Sequence, residues 1–148
     1  MSAYRHRQYS IPGLVSLTLL PLLMLWFWIR DPQSAPFMLV ALLLVAVILY
    51  LFSSLTVEVS DREIAWAFGP NFWRNRIALS DITKVETTYL PWYYGSGIKW
   101  SPLGWMYLVS MGGDAVKIEL KDGSAIRIGT NDPQGLSAAL AAGKATPK

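Results

Sequence analysis

The sequence predicts a two-helix membrane hairpin followed by a mainly-β domain, and three observations carry that fold class. Residues 11–29 and 37–55 are charge-free apolar runs. As helices they are long enough to cross a bilayer, since 19 residues at about 1.5 Å each reach about 28 Å against a hydrocarbon thickness of ~30 Å. From Leu55 onward the apolar period changes from helical to two-residue, as half-buried strands require. Composition divides the same way: 53% hydrophobic and 16% charged residues depart from soluble averages of about 45–50% and about 25%, and the excess lies in the first 55 residues. The expected organisation is an N-terminal tail (1–10), a transmembrane hairpin (11–55), a β domain (56–142) and a flexible C-terminal tail (143–148).

Arg5, His6 and Arg7 precede the first run as the basic region of a signal peptide would. The apolar stretch exceeds the 7 to 15 residues of such a peptide, and the small-residue site at Gln33-Ser34-Ala35 is followed by Pro36. The run therefore reads as a retained span. Pro12 and Gly13 fall at its start, where a missing amide hydrogen costs little, whereas Pro21 falls inside and calls for a neighbouring helix. Trp26, Trp28 and Tyr50 stand near the ends of the runs as interfacial anchors do. The linker 30–36 is short, so the helices form an antiparallel hairpin with both chain ends on one side. Arg5 and Arg7 before the hairpin, and Arg62, Arg74 and Arg76 after it, outweigh Arg30 beside Asp31 in the linker. The positive-inside rule then places both termini and the β domain in the cytoplasm.

Leu55, Val57 and Val59 alternate with Thr56, Glu58 and Ser60. After a turn at 61–63, Ile64, Trp66 and Phe68 alternate with alanines, which makes a hairpin continuing from the second span. Gly69-Pro70-Asn71 breaks it, and a third strand over 74–79 places Ile77 and Leu79 on one face. After a connection at 80–82, a strand alternates Lys84, Glu86 and Thr88 with Val85, Thr87 and Tyr89. The clearest strand sets Val116, Ile118 and Leu120 inward and Lys117, Glu119 and Lys121 outward, and Asp122-Gly123 turns it into Ile126 and Ile128. A strand over 105–110 is apolar on both faces, so its inward face is open. Asn131-Asp132-Pro133 starts a helix carrying a Leu136, Leu140 stripe. About seven strands in hairpin order and one helix make a strongly bent antiparallel sheet or small barrel with the helix closing an open end.

Several motifs then carry a resemblance. Phe68-Gly69-Pro70, Leu79-Ser80-Asp81-Ile82, Tyr94-Gly95-Ser96-Gly97-Ile98-Lys99, Ala115-Val116, and Asp122-Gly123 through Arg127-Ile128-Gly129-Thr130-Asn131-Asp132-Pro133, in this order, resemble the bacterial pleckstrin-homology-like domains that follow one or two membrane helices. The resemblance covers about 55–140. It implies a pleckstrin-homology-like fold, a binding or assembly role, and a place in the bacterial inner membrane. Inositol phosphate recognition in eukaryotic relatives uses several basic residues around the first hairpin loop, whereas Asp61-Arg62-Glu63 offers one base between two acids.

The residue chemistry points away from catalysis. The chain has no cysteine and one histidine, His6, so a thiolate site, a histidine metal cluster and a Ser-His-Asp triad within the β domain lack their components. Glu58, Glu86 and Glu119 fall on the solvated faces of alternating strands. Ser96 between Gly95 and Gly97 lacks both a base and the strand-to-helix turn of a nucleophile elbow. No helix pattern follows it to cradle a phosphate. Beyond residue 55, ten Lys and Arg alternate with nine Asp and Glu, which excludes a clustered nucleic-acid face. No cofactor and no small-molecule substrate is expected.

Residues 90–105 are the candidate binding segment. They concentrate Trp92, Tyr93, Tyr94, Trp100 and Trp105 with Lys99, two prolines and three glycines. Rings with a polar edge suit an interface hot spot or a lipid headgroup layer; packing as a local mini-core, Trp105 above all, is the alternative. The expected binding residues are Trp92, Tyr93, Tyr94, Lys99 and Trp100. Phe72, Trp73, Arg74 and Arg76 form a second cluster, read either as a hairpin loop with buried rings or as a membrane-surface contact. The expected function is a membrane-anchored interaction or assembly module that recognises or organises a membrane protein or a second copy of itself. The rival readings are a lipid-headgroup sensor and a non-catalytic accessory subunit of a membrane enzyme or transporter.

Overall fold

The computed structural model describes residues 2–102 and 104–145. Two helices near the N-terminus, α1 (Ile11–Arg30) and α2 (Ala35–Leu51), are each long and apolar enough, with the 3₁₀ turn Pro32–Ser34 leading into α2, to cross a membrane. Ser10 caps α1 by accepting a hydrogen bond from the Gly13 amide at 3.1 Å. The helix runs unbroken through Pro21, which lines a groove facing Met38 and Leu42 of α2. Gly13 is the only buried residue of the two helices. Their leucines, valines and aromatic rings therefore lack cover within the chain.

The β domain is built from two sheets. In the first, β1 (Ser2–Tyr9), β2 (Ser54–Ser60), β3 (Glu63–Phe68) and β4 (Trp73–Ala78) lie in that order, all antiparallel. In the second, the order is β5 (Ile82–Leu90), β8 (Gly113–Leu120), β9 (Ala125–Gly129), β7 (Gly104–Leu108) and β6 (Gly97–Ser101). Helix α3 (Pro133–Ala145) starts on Asp132, whose carboxylate accepts from the Gly135 amide at 3.0 Å. The core between these layers joins Leu55, Val57 and Val59 of β2 and Ile64, Trp66 and Phe68 of β3 with Val116, Ile118, Ile126 and Ile128, and Leu136 and Leu140 of α3 close it.

Four expectations need correction. The first ten residues are not a tail: 2–9 form β1, pairing with β2 from Ser2↔Ser60 to Tyr9↔Ser54. Its inward positions are polar, and they are satisfied by the connection into α3. The Tyr4 hydroxyl donates to Asp132 at 3.0 Å, His6 Nε2 lies 2.5 Å from Asn131 Oδ1, and the Asn131 amide donates to Gln8 Oε1 at 3.1 Å. Among the described residues, nine strands in two sheets replace seven in one bent sheet or barrel, the additions being β1 and β6. β7 pairs β9 in parallel, so the arrangement is not wholly antiparallel. At the C-terminus α3 continues through Ala145, so 143–145 are helical, and the rest of the expected tail lies outside the described residues.

β7 resolves the strand with two apolar faces. Met106 and Leu108 enter a satellite cluster with Leu90 and Ala115, while Tyr107 and Val109 enter the main core. Both faces are apolar because both are covered. The Tyr107 ring meets Trp66 edge-on at 5.1 Å, and burial holds its hydroxyl protonated above the usual tyrosine range.

Candidate functional site

Leu90 is buried and roots the aromatic segment. After Pro91, residues Trp92–Tyr94 make one 3₁₀ turn, closed by the Tyr94 amide donating to the Pro91 carbonyl at 3.1 Å. Gly95 follows at φ +63, ψ −163, a conformation open to glycine and little else. The chain then returns as β6 along β7, with Trp100 directly opposite Trp105.

The expected binding residues separate into two roles. Trp92, Tyr93 and Trp100 are 70%, 68% and 69% exposed. Tyr94 instead packs against the satellite cluster and carries Tyr93 stacked on it at 5.2 Å, with Trp92 edge-on to Tyr93 at 6.3 Å. Lys99 donates to the Tyr94 carbonyl, tying β6 to the turn. Trp105 is 47% exposed, so it is not the buried centre of a mini-core. Trp92 and Tyr93 are thus displayed on a turn braced by Tyr94 and Lys99, and Trp100 on strand β6 that follows it. Ser96 is exposed and leads into strand β6, not into the helix that a nucleophile elbow or phosphate cradle needs.

The carboxylates are paired on open faces. Glu86 stands opposite Lys117 in the β5–β8 ladder. Lys84 bonds Glu86 at 2.5 Å, and Lys117 bonds Glu119. Those bonds push the Lys84 ammonium above its ordinary value and hold the Glu119 carboxyl below its own. This is a charge ladder at a sheet surface.

A second region escaped the sequence reading in part. On the outer face of the first sheet, Arg7, Thr56, Ala67 and Arg74 form one row across four strands, and Arg5, Glu58, Ala65 and Arg76 form another. The alanines make a floor, 6% and 5% exposed, in a concavity of about 280 Å³ bordered by Arg5, Arg7 and Arg74. Arg5 reaches Glu58 at 3.0 Å, and Arg74 reaches the same carboxylate at 3.9 Å from two strands away. That reach is possible because Ala65 and Ala67 put no bulk between them. Arg7 Nε and Nη2 donate to Ser54 Oγ at 3.2 and 3.1 Å. Nearby, Phe72 and Trp73 are 48% and 49% exposed, so the reading of that loop as one with buried rings is corrected. The signal in the sequence was the pair of alanines alternating with Ile64, Trp66 and Phe68; the arginines themselves come from segments far apart in the chain. Comparison of the chain with family models, with curated proteins and with solved structures found no match.

Proposed function

We propose that this protein is a membrane-anchored, non-catalytic interaction module whose hairpin spans the bacterial inner membrane and whose β domain recognises or organises a membrane protein, a second copy of the chain included. The observation that carries this reading is the outward display of Trp92 and Tyr93 on a braced turn, with Trp100 exposed on the strand that follows. Ordering three long flexible side chains on binding is costly, whereas rings held by a backbone turn and a stacked neighbour lose little freedom. Large aromatic residues are also those that dominate interface energetics. The uncovered apolar faces of α1 and α2 support the anchoring. The arginines of β1 and β4, set against Arg30 and Asp31 at the far end of the hairpin, support a cytoplasmic domain with both termini on that side. Two sheets closed by α3 support a pleckstrin-homology-like class for the domain.

The test replaces Trp92, Tyr93 and Trp100 by Ala in the full chain, leaving Tyr94 and Lys99 in place. Cross-linking in native membranes and mass analysis in mild detergent measure self-association and defined co-purifying proteins, and urea unfolding measures stability. The reading expects association to fall at an unchanged unfolding midpoint. Unchanged association, or a midpoint that collapses while association survives, would refute it.

A further inference from the structure

We infer that the arginine-bordered concavity on the outer face of the first sheet binds the phosphate of an anionic phospholipid headgroup, at the foot of the membrane hairpin. The inference rests on the reading that the hairpin spans a bilayer, but uses a different surface from the aromatic loop. Its first support is position. Both helices leave the sheet from one row: Tyr9 pairs with Ser54, and the Ser10 amide donates to the Ser53 carbonyl at 2.7 Å. The row of Arg7 and Arg74 lies two residues further along the strands, about 7 Å at the usual strand rise. A headgroup layer is roughly 5–7 Å deep, half the difference between a ~30 Å hydrocarbon core and a ~40–45 Å bilayer. Where the strands run on from the helix ends along the membrane normal, these guanidiniums reach the headgroup layer.

Aromatic residues mark the same level. Tyr9, Phe72 and Trp73 are exposed beside the departing helices, as the interfacial belt of a membrane protein is. Phe72 meets Phe52, immediately after α2, at 5.9 Å between ring centroids. Gly69, at φ +50, brings the β3–β4 loop so close to the helix that a Cβ there would lie 2.4 Å from the Leu51 carbonyl oxygen. The loop is thus held against the end of the span, with the arginine rows directly behind it.

Charge and shape select the ligand. Three guanidiniums face one carboxylate around the concavity, so it keeps a positive excess while Glu58 draws Arg5 and Arg74 inward. Arg7 is oriented by Ser54 and lies 5.1 Å from the Tyr9 ring centroid. Guanidiniums present planar, paired donors to phosphate oxygens. A volume of about 280 Å³ falls just below the roughly 300 to 1,000 Å³ of drug-sized ligand sites, and suits one compact headgroup whose acyl chains stay in the bilayer.

The experiment reconstitutes the full chain in nanodiscs of equimolar phosphatidylcholine and phosphatidylglycerol and measures, by native mass spectrometry, which lipid remains bound. Phosphatidylglycerol should be enriched. Arg74→Gln, at an exposed position, should lower that enrichment about fivefold, the factor for one cation beside an anionic lipid surface. Ala67→Leu, which fills the floor and keeps every charge, should lower it as well. Arg62→Gln, at the opposite end of β2 and β3, should leave it unchanged, and inorganic phosphate should not displace the lipid. Wild-type enrichment in Arg74→Gln or in Ala67→Leu would overturn the inference. An equal loss in Arg62→Gln would replace the site by diffuse charge, and displacement by inorganic phosphate would replace it by a soluble-anion site. Release of the chain from native membranes by alkaline carbonate would overturn the anchoring itself, a failure distinct from any of these.

Discussion

Replacing Ile118 by Ala tests the packing at the centre of the second sheet. Ile118 is fully buried, with Val85 on one side in β5 and Ile126 on the other in β9. The change removes three carbons. Transfer alone is worth about 0.8 kcal/mol for each, about 2.4 kcal/mol together. A cavity term is added because strands fixed on both sides cannot close over the gap, so the total should reach about 3–4 kcal/mol, inside the 2–5 kcal/mol range for such truncations. The neighbouring Lys117→Ala removes only partly exposed pairings with Glu86 and Glu119, and should cost under about 1 kcal/mol. The assay is pulse proteolysis of the full chain in detergent across a urea gradient. With a slope of about 1–3 kcal/mol/M, the Ile118→Ala midpoint should fall by roughly 1–4 M and the Lys117→Ala midpoint by much less. Equal midpoints for the two variants would show that the β8 alternation does not set inside from outside.

Two further outcomes follow from the N-terminal strand and the hairpin. Burial, and then the bond to Asp132, hold the Tyr4 hydroxyl protonated well above the tyrosine range. The folded chain thus keeps a proton that the unfolded chain releases above about pH 10, so this stabilisation is complete below that pH and declines as pH rises through it. Tyr4→Phe should lower stability by about 1 kcal/mol at neutral pH and lose less than wild type at alkaline pH; parallel pH curves of the urea midpoint would refute the assignment. For topology, Gln33→Cys should react with an impermeant thiol reagent in intact cells and Ser124→Cys only after permeabilisation, since the native chain has no cysteine; the reverse pattern would invert the orientation.

The elements legible in the sequence are those whose inward positions are apolar and whose partners are near. β2 with β3 and β8 with β9 meet both conditions, and α3 announces itself by Asp132, Pro133 and the Leu136, Leu140 stripe. β1 meets neither. Its inward residues are Tyr4, His6 and Gln8, which all hydrogen-bond, Tyr4 also packing against the core, and its partner lies beyond both helices. β6 hid among glycines and aromatic residues, because its strand character comes from pairing with β7 and not from alternation. The parallel contact of β7 with β9 depends on how the sheet closes, to which local pattern is blind. In the aromatic segment composition marked a cluster of large rings, but separating the exposed Trp92, Tyr93 and Trp100 from the bracing Tyr94 and Lys99 required the satellite cluster beneath them. The arginine rows stayed hidden for the same reason as β1.

The pairing of β1 with β2 makes the two long helices an insertion between neighbouring strands of one sheet. The domain is therefore joined to the helices by two short connections, one from each of two paired strands, and not by a single tether. A force on the sheet would thus reach both helices together. The ribosome meets the same feature as a problem of order: β1 is made before both helices and finds its partner only when Ser54 and the residues after it emerge. A fragment begun at residue 54 would leave β2 as an uncovered edge, open to pairing with other chains. The first sheet is complete only with the strand on the far side of both helices.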